Sequence, residues 1–257
     1  MAAGQLGALA ITVDLDFGDA RVQSISRQAD AVLTRLLELF DLYEVAATWA
    51  ATEPAGSDAL ARVRETDAGH EPALLGEPTW VGLAAGRTRF AQELARRVEA
   101  ATNLGITLCT LAVCHARVPR EHYDLLVKHG VSVVRQERTG GGRSLAALQP
   151  QTLRHGVWEI PSAVTLPDTG AWFGKGSVAG RNAVRKAIAL TGLAHITLNL
   201  AGLAAHDPRL QAVESVLRCA ARAVGRGVLR TATLGRLAHE WLAPQKNAPA
   251  RSILRVA

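Results

Sequence analysis

The stretch LAITVDLDF, residues 9–17, is the part of the sequence that most constrains the fold. Its first five residues are apolar or β-branched and predict a buried strand, and Asp14 and Asp16 follow it. Two acids at positions i and i+2 of an extended chain point the same way, so both can line one pocket. Paired carboxylates suit metal binding or general-base chemistry, because each raises the proton affinity of the other unless a cation lies between them. The alternative is structural, with one acid capping the next turn and the other pairing with an arginine.

Short β-branched runs alternate with longer helical patterns along the rest of the chain. Further strands are predicted at residues 44–51, 70–75, 106–113, 131–135, 157–161, 196–200 and 228–231, and helices between them at 24–40, 89–101, 121–129, 178–190, 210–224 and 234–242. This alternation is typical of βαβ units in a mostly parallel sheet. Seven or eight strands in a chain of this length predict a distorted α/β barrel, with a doubly wound open sheet as the alternative.

The composition indicates one globular domain. Hydrophobic residues make up 48% of the 257 residues and charged residues 20%, which is enough to bury a sizeable core. We expect a single barrel domain over residues 1–243 and a flexible basic tail over 244–257. The three cysteines are an odd number without paired spacing, which argues for a reducing compartment.

Charge and hydropathy exclude several classes of partner. The net charge is +6, but the arginines are scattered, and only 4% of the residues are aromatic, so no stacking platform for nucleic acid is predicted. The apolar runs are too short to cross a bilayer, and the first nine residues lack the basic and long apolar regions of a secretory signal. The sequence therefore predicts a cytoplasmic protein that binds neither nucleic acid nor membrane; it makes no prediction of oligomeric state.

In a barrel, ligands bind at the carboxyl ends of the strands. Polar residues follow several of the predicted strands, and those that this rule selects are Asp14, Asp16, Thr52, Glu53, Glu71, Glu77, His115, Arg117, Arg135, Gln136 and Asn199.

Four segments of the chain share the pattern of one known family. They are Thr12-Val13-Asp14-Leu15-Asp16, Gly69-His70-Glu71, Arg117-Val118-Pro119 and the closing strand and turn at residues 227–237. Together they resemble the polysaccharide deacetylase (NodB-homology) family, from the first strand to about Leu242. The resemblance implies a distorted seven- or eight-stranded (β/α) barrel, in agreement with the independent strand count.

The resemblance also implies a chemistry, from which this sequence departs. Members with intact motifs remove acetyl groups from N-acetylated sugars with a divalent metal, usually zinc, that one Asp and two His hold. Carried over, the two His positions fall near Leu75 and Thr79, and the Asp ligand falls on Leu15 or Asp16. We therefore predict no zinc site, unless ligands are recruited from Asp14, Asp16, Glu77 or His206.

Two sets of site residues follow from the resemblance and from their positions. Asp14 matches the family's catalytic base, and Arg117 matches the arginine that pairs with it, although Arg117 also fits an ordinary surface guanidinium. The catalytic His position falls on Asn199, with His206 seven residues later as a substitute.

The predicted substrate-binding residues are Asp16, Glu71, Glu77 and Trp80. An acidic pair beside an exposed Trp at a barrel mouth would hold a sugar, with the indole stacked on the pyranose ring. The alternative is a core Trp with two solvated glutamates.

Two function hypotheses remain open on the sequence. In one, the protein hydrolyses an amide or ester of an acylated sugar with Asp14 as the base. In the other, it is a non-catalytic pseudoenzyme barrel that binds a saccharide or a protein partner. The cytoplasmic location favours a sugar-nucleotide or lipid-linked precursor over cell-wall glycan.

Overall fold

The computed structural model describes residues 6–15, 23–136, 150–167, 175–205 and 208–246. The strands are β1 (Gly7–Asp14), β2 (Thr48–Ala51), β3 (Glu71–Gly76), β4 (Thr110–Val113), β5 (Val133–Arg135), β6 (Gln151–Thr152), β7 (Trp158–Glu159), β8 (Val164–Leu166), β9 (Leu193–Asn199) and β10 (Leu229–Thr231). The helices are α1 (Gln23–Leu42), α2 (Asp58–Arg64), α3 (Pro78–Val81), α4 (Gly86–Asn103), α5 (Tyr123–Lys128), α6 (Lys175–Ala189), α7 (Leu200–Ala204), α8 (Pro208–Gly225) and α9 (Leu234–Lys246). Helix α9 thus extends three residues into the predicted tail. None of the helices in these ranges is both long enough and apolar enough to span a bilayer.

The strands form one curled sheet in the order β6-β7-β5-β4-β3-β2-β1-β9-β8, and β10 also pairs with β1. All described pairs are parallel except β6 with β7. Strand β7 pairs with β5, and β8 pairs with β9 at the other edge of the sheet. Only residues 160–163 separate β7, which lies next to the edge strand β6, from the opposite edge strand β8. This short segment, called the edge-joining segment below, therefore connects the two sides of the sheet, and the sheet curls into a distorted half-barrel. The barrel prediction is confirmed.

The central strand β1 has one face on the helices and one inside the barrel. Leu9, Ile11 and Val13 pack in the main core with α1, α6 and α8. Ala8 and Ala10 face the interior, where they pack against α9. This alternation follows from the two-residue period of a strand, and it places Thr12 and Asp14 inside the barrel as well.

Helix α9 covers the amino-terminal end of the barrel. Leu234, Leu237 and Ala238 pack on Ala8, Ala10 and the start of the segment that joins the edges. The first amides of α9 bind interior side chains: Leu234 N donates to Thr48 Oγ1 over 3.0 Å, and Gly235 N donates to Glu71 Oε2 over 2.8 Å. With this end covered, a ligand reaches the interior from the carboxyl ends of the strands.

Candidate functional site

A cavity of about 400 Å³ lies at the carboxyl ends of the strands, where the barrel rule places ligands. Its walls come from β1, β5, β8, β9 and α7 and from the turn after β4. The lining residues are Asp14, Cys114, His115, Arg135, Gln136, Ser162, Thr165, Pro167, Thr197, Asn199 and Gly202.

A buried ion pair lies in this cavity. Arg135 Nη1 is 2.9 Å from Asp14 Oδ2, and each side chain is only 5% exposed. Asp14 ends β1 and Arg135 ends β5, and three strands separate these two in the sheet, so the pair bridges the interior of the barrel. Two buried charges require such a partner, because each alone would carry a large desolvation cost.

A chain of hydroxyl groups fixes the guanidinium of Arg135. The same Nη1 donates to Thr197 Oγ1 over 3.2 Å, and Thr197 donates to Ser162 Oγ over 2.9 Å. Ser162 in turn donates to the carbonyl of Val164 over 3.1 Å. The arginine is therefore held by β9 and by the segment that joins the sheet edges, as well as by Asp14.

His195 lies one layer deeper in the barrel, below the ion pair. Burial, assisted by the charge of Arg135, lowers the pKa of His195 to about 3. The imidazole is therefore neutral, with Nδ1 donating to the carbonyl of Pro161 over 3.2 Å. Its Nε2 accepts from Thr12 Oγ1 over 2.8 Å. His195 thus joins β1, β9 and the edge-joining segment, and it supports the layer that carries Asp14.

Arg117 does not pair with Asp14, so that prediction is wrong. Its Nη2 lies 3.3 Å from Oε1 of Glu159, a buried carboxylate that also accepts from Gln136 Nε2 over 2.8 Å and from Gln151. Half of the Arg117 side chain is exposed. The partner of Asp14 comes instead from β5, the strand that follows the Arg-x-Pro segment and its helix.

Glu71 does not reach the cavity, and its predicted role in substrate binding is wrong. It is the first residue of β3, not a residue at the carboxyl end of a strand. Its carboxylate accepts from Thr110 Oγ1 over 2.5 Å and from Gly235 N over 2.8 Å, so it ties β3 to β4 and to the start of α9.

The predicted sugar-stacking role of Trp80 is also wrong. Trp80 is 1% exposed and packs on Phe90 of α4, in a hydrophobic core that also contains Leu94 and Leu111. The guanidinium of Arg97 lies 4.8 Å from its ring centroid. Glu77 is not among the residues that line the cavity, and its carbonyl accepts from the amides of Trp80 and Val81 at the start of α3. The structure therefore agrees with the alternative interpretation, in which Trp80 is a core residue.

Asn199 occupies the cavity next to Asp14, with which it pairs in register across β1 and β9. Its Oδ1 accepts from Gly202 N over 2.7 Å and so caps α7. At the position where the resemblance expects a catalytic His, this chain therefore has a helix cap. Asp16 and His206 lie outside the described residues.

The donor set of the described residues does not fit a zinc ion. Leu75 is buried in a small interior cluster, and Thr79 is exposed on α3, so neither expected His position supplies a ligand. The described residues contain no group of three or more His, Cys, Asp or Glu able to hold a metal. The guanidinium of Arg135 already lies against Asp14, where a second cation would be repelled.

Sequence reasoning placed Arg135 and Gln136 at a strand end but gave them no role, and it missed Ser162, Thr165 and Thr197. A signal for Thr197 exists, since Thr197 and Asn199 follow each other at i and i+2 in β9 as Thr12 and Asp14 do in β1. Ser162 belongs to the edge-joining segment and Thr165 to β8, into which that segment leads, and no local pattern marks the crossing.

The sequence matches no protein-family profile and no curated protein. Among solved structures, a candidate polysaccharide deacetylase from Mycobacterium smegmatis is 18% identical, with 100% of this chain and 96% of that chain covered at a TM-score of 0.72. A family 4 acetyl xylan esterase from Clostridium thermocellum, in complex with a cobalt ion, is 15% identical over 90% and 89% of the two chains at 0.54. A CE4-family pseudoenzyme from Bacillus anthracis is 10% identical over 91% and 66% at 0.57.

These similarities establish the fold of the polysaccharide deacetylases in a strongly divergent sequence. The proteins that share it include an esterase and a pseudoenzyme, so the fold alone does not select between catalysis and binding. That choice depends on the site.

Proposed function

We propose that this chain is a saccharide-binding protein with the polysaccharide deacetylase fold, in which zinc-dependent deacetylation is lost or altered. The observation that carries the proposal is the set of residues at the positions where the resemblance expects histidines. Leu75 and Thr79 occupy the two ligand positions, and Asn199, whose side chain caps α7 at the cavity, occupies that of the catalytic His.

The lining of the cavity supports a saccharide as the ligand. The hydroxyl of Thr165 and the amide Nδ2 of Asn199 are groups of the kind that sugar hydroxyls and acylamino groups need. The side chains of Ser162, Thr197 and Gln136 also line the cavity, where bonds within the protein hold them in place. The volume of about 400 Å³ lies within the range of small-molecule sites, roughly 300–1,000 Å³. The proposal includes a cytoplasmic location, which favours a sugar-nucleotide or a lipid-linked precursor as the natural ligand. Recovery of the native protein in an exported fraction would contradict both the location and this choice of ligand.

A second candidate function is hydrolysis of an acylated sugar without zinc. The observation in its favour is that Asp14, at the position of the family's base, lies in the cavity beside a guanidinium that could polarise a carbonyl group. The two candidates differ in turnover, which a single experiment measures.

The test combines metal titration, ligand binding and acetate release. Zinc and cobalt are titrated into metal-stripped protein, and N-acetylglucosamine and its β-1,4 dimer are titrated by calorimetry in the presence and absence of a chelator. We expect sugar binding that the chelator leaves unchanged and no acetate release above the buffer rate. Metal-independent acetate release that Asp14→Asn abolishes would establish the second candidate. Stoichiometric zinc binding together with zinc-dependent release would overturn both. Arg87→Met, which removes an exposed ion pair with Asp124, is the matched control.

A further inference from the structure

One edge of the Arg135 guanidinium is unused. Both of its hydrogen bonds, to Asp14 and to Thr197, come from Nη1. No hydrogen bond to Nε or Nη2 exists within the part of the chain that the structure describes. Arg135 is 4% exposed and yet lines the cavity, so these N–H groups can be reached through the cavity and only to a small extent from bulk solvent.

The unused edge has a chemical preference. Nε and Nη2 carry two nearly parallel N–H groups, which match the two oxygens of a carboxylate in a bidentate pair. Among the lining residues that the structure describes, Asp14 is the one acid, and its Oδ2 is already bound to this guanidinium. The other polar side chains of the lining are hydroxyls, amides and His115. None of these is a carboxylate that could take the free edge.

We infer that Arg135 recognises a carboxylate on the ligand, so that the cavity selects an acidic saccharide over its neutral counterpart. This inference rests on the saccharide binding proposed above and names the class of sugar. The hydroxyl of Thr165 remains available for the sugar ring. The net charge of +6 on the chain favours an anionic ligand over a neutral one.

The carboxylate of Asp14 orients the guanidinium of Arg135 but repels the carboxylate of such a ligand. The carboxylate of Asp14 and that of the ligand would share one guanidinium, and like charges on either side of it repel each other. Removal of the charge of Asp14 should therefore tighten the binding of an acidic sugar. Loss of a catalytic base or of a metal ligand would not tighten the binding of an acidic sugar in this way.

The experiment compares D-glucuronic acid with D-glucose by calorimetry at neutral pH and low salt. The two sugars differ only at C6, so their affinity ratio reports the carboxylate alone. We expect glucuronate to bind the wild type at least tenfold more tightly than glucose. In Arg135→Lys, whose single ammonium cannot serve Asp14 and a ligand carboxylate in bidentate fashion, the ratio should fall below threefold. In Asp14→Asn, the ratio should rise at least threefold. Arg87→Lys, at an exposed bidentate pair, should keep the wild-type ratio.

Each outcome separates this inference from the proposed function. Equal affinities for glucuronate and glucose would overturn the carboxylate inference and leave saccharide binding in place. Absence of binding to both, and to the N-acetylated sugars, would overturn both proposals. Tighter binding of glucose 6-phosphate than of glucuronate would show that the edge serves a phosphate instead. If Arg135→Lys does not fold, the Asp14→Asn ratio decides, since an unchanged or reduced ratio contradicts the shared guanidinium.

Discussion

Loss of the arginine in the buried ion pair should be among the most damaging single changes in this protein. Arg135→Met removes the charge and leaves the Asp14 carboxylate, 5% exposed, without the partner 2.9 Å away. At an effective dielectric constant of about 20, unit charges about 4 Å apart attract by about 4 kcal/mol. Breaking a buried pair from one side typically costs about 3–5 kcal/mol, because the remaining charge stays desolvated. That is a large part of the roughly 5–15 kcal/mol that stabilises a typical domain.

The assay is urea unfolding followed by tryptophan fluorescence, on a cycle of four proteins: wild type, Arg135→Met, Asp14→Asn and the double variant. We expect Arg135→Met to lose about 3–5 kcal/mol in the free energy of unfolding. The double variant, with both charges gone, should recover most of this loss, because neutral side chains of similar size replace a buried pair at little cost. The exposed pair of Arg87 and Asp124 is the control, and its cycle should show a much smaller coupling.

Two results would refute the reasoning. If Arg135→Met lost less than about 1 kcal/mol, the pair would behave like a surface ion pair and would not be desolvated. If the losses of the two single variants simply added in the double variant, Asp14 and Arg135 would not interact in solution.

Three further predictions follow from the interior of the barrel. The pKa of His195, lowered to about 3, lies below the value of about 6.5 in an unfolded chain, so its contribution to stability is present above pH 6.5 and is lost as the pH falls. The wild type should lose about 1.4 kcal/mol more per pH unit than His195→Gln does between about pH 6 and 4, as measured by urea unfolding; equal slopes would contradict a buried neutral imidazole. Glu71→Ala should cost about 1–3 kcal/mol of stability through its unpaired donors, but calorimetry should find sugar affinity unchanged; a loss of affinity would return Glu71 to the site. In Gly235→Ala, the new Cβ would lie 2.4 Å from Cys109 Sγ, so thermal unfolding should show a loss of about 1–3 kcal/mol that Cys109→Ala relieves; failure of that rescue would point to another cause.

Much of the fold is contained in local sequence patterns. The period of two in β1, with Leu9, Ile11 and Val13 on one face, and the helical period in the segments between strands predict both the elements and their parallel arrangement. The closure of the sheet into a barrel, in contrast, is not contained in local sequence patterns. The segment from β7 to β8 changes partner from β5 to β9 within a few residues, and a change of partner leaves no periodic signal.

The site was predicted in part, for reasons that differ from residue to residue. Asp14 reaches the cavity because it directly follows a buried strand, and that is visible in the sequence. Glu71 was misplaced because it is the first residue of its strand and therefore lies at the amino-terminal end of the barrel. Strand boundaries are the least certain part of a prediction from sequence. Trp80 was misplaced because the sequence around a single tryptophan does not show whether its side chain lies in the core or on the surface. The partner of Asp14 depends on a contact across 121 residues, which no local pattern encodes.

The position of β1 at the centre of the sheet has a consequence for biosynthesis. This strand emerges from the ribosome well before its partners β9 and β10, which come from residues 193–231. Until those residues are made, β1 can pair only with β2, and one of its two edges stays open. An open apolar edge is a template for pairing with other chains, so the nascent protein carries its main aggregation hazard through most of its synthesis. A fragment that ends before β9 should for the same reason be insoluble, even though it contains Asp14 and Arg135.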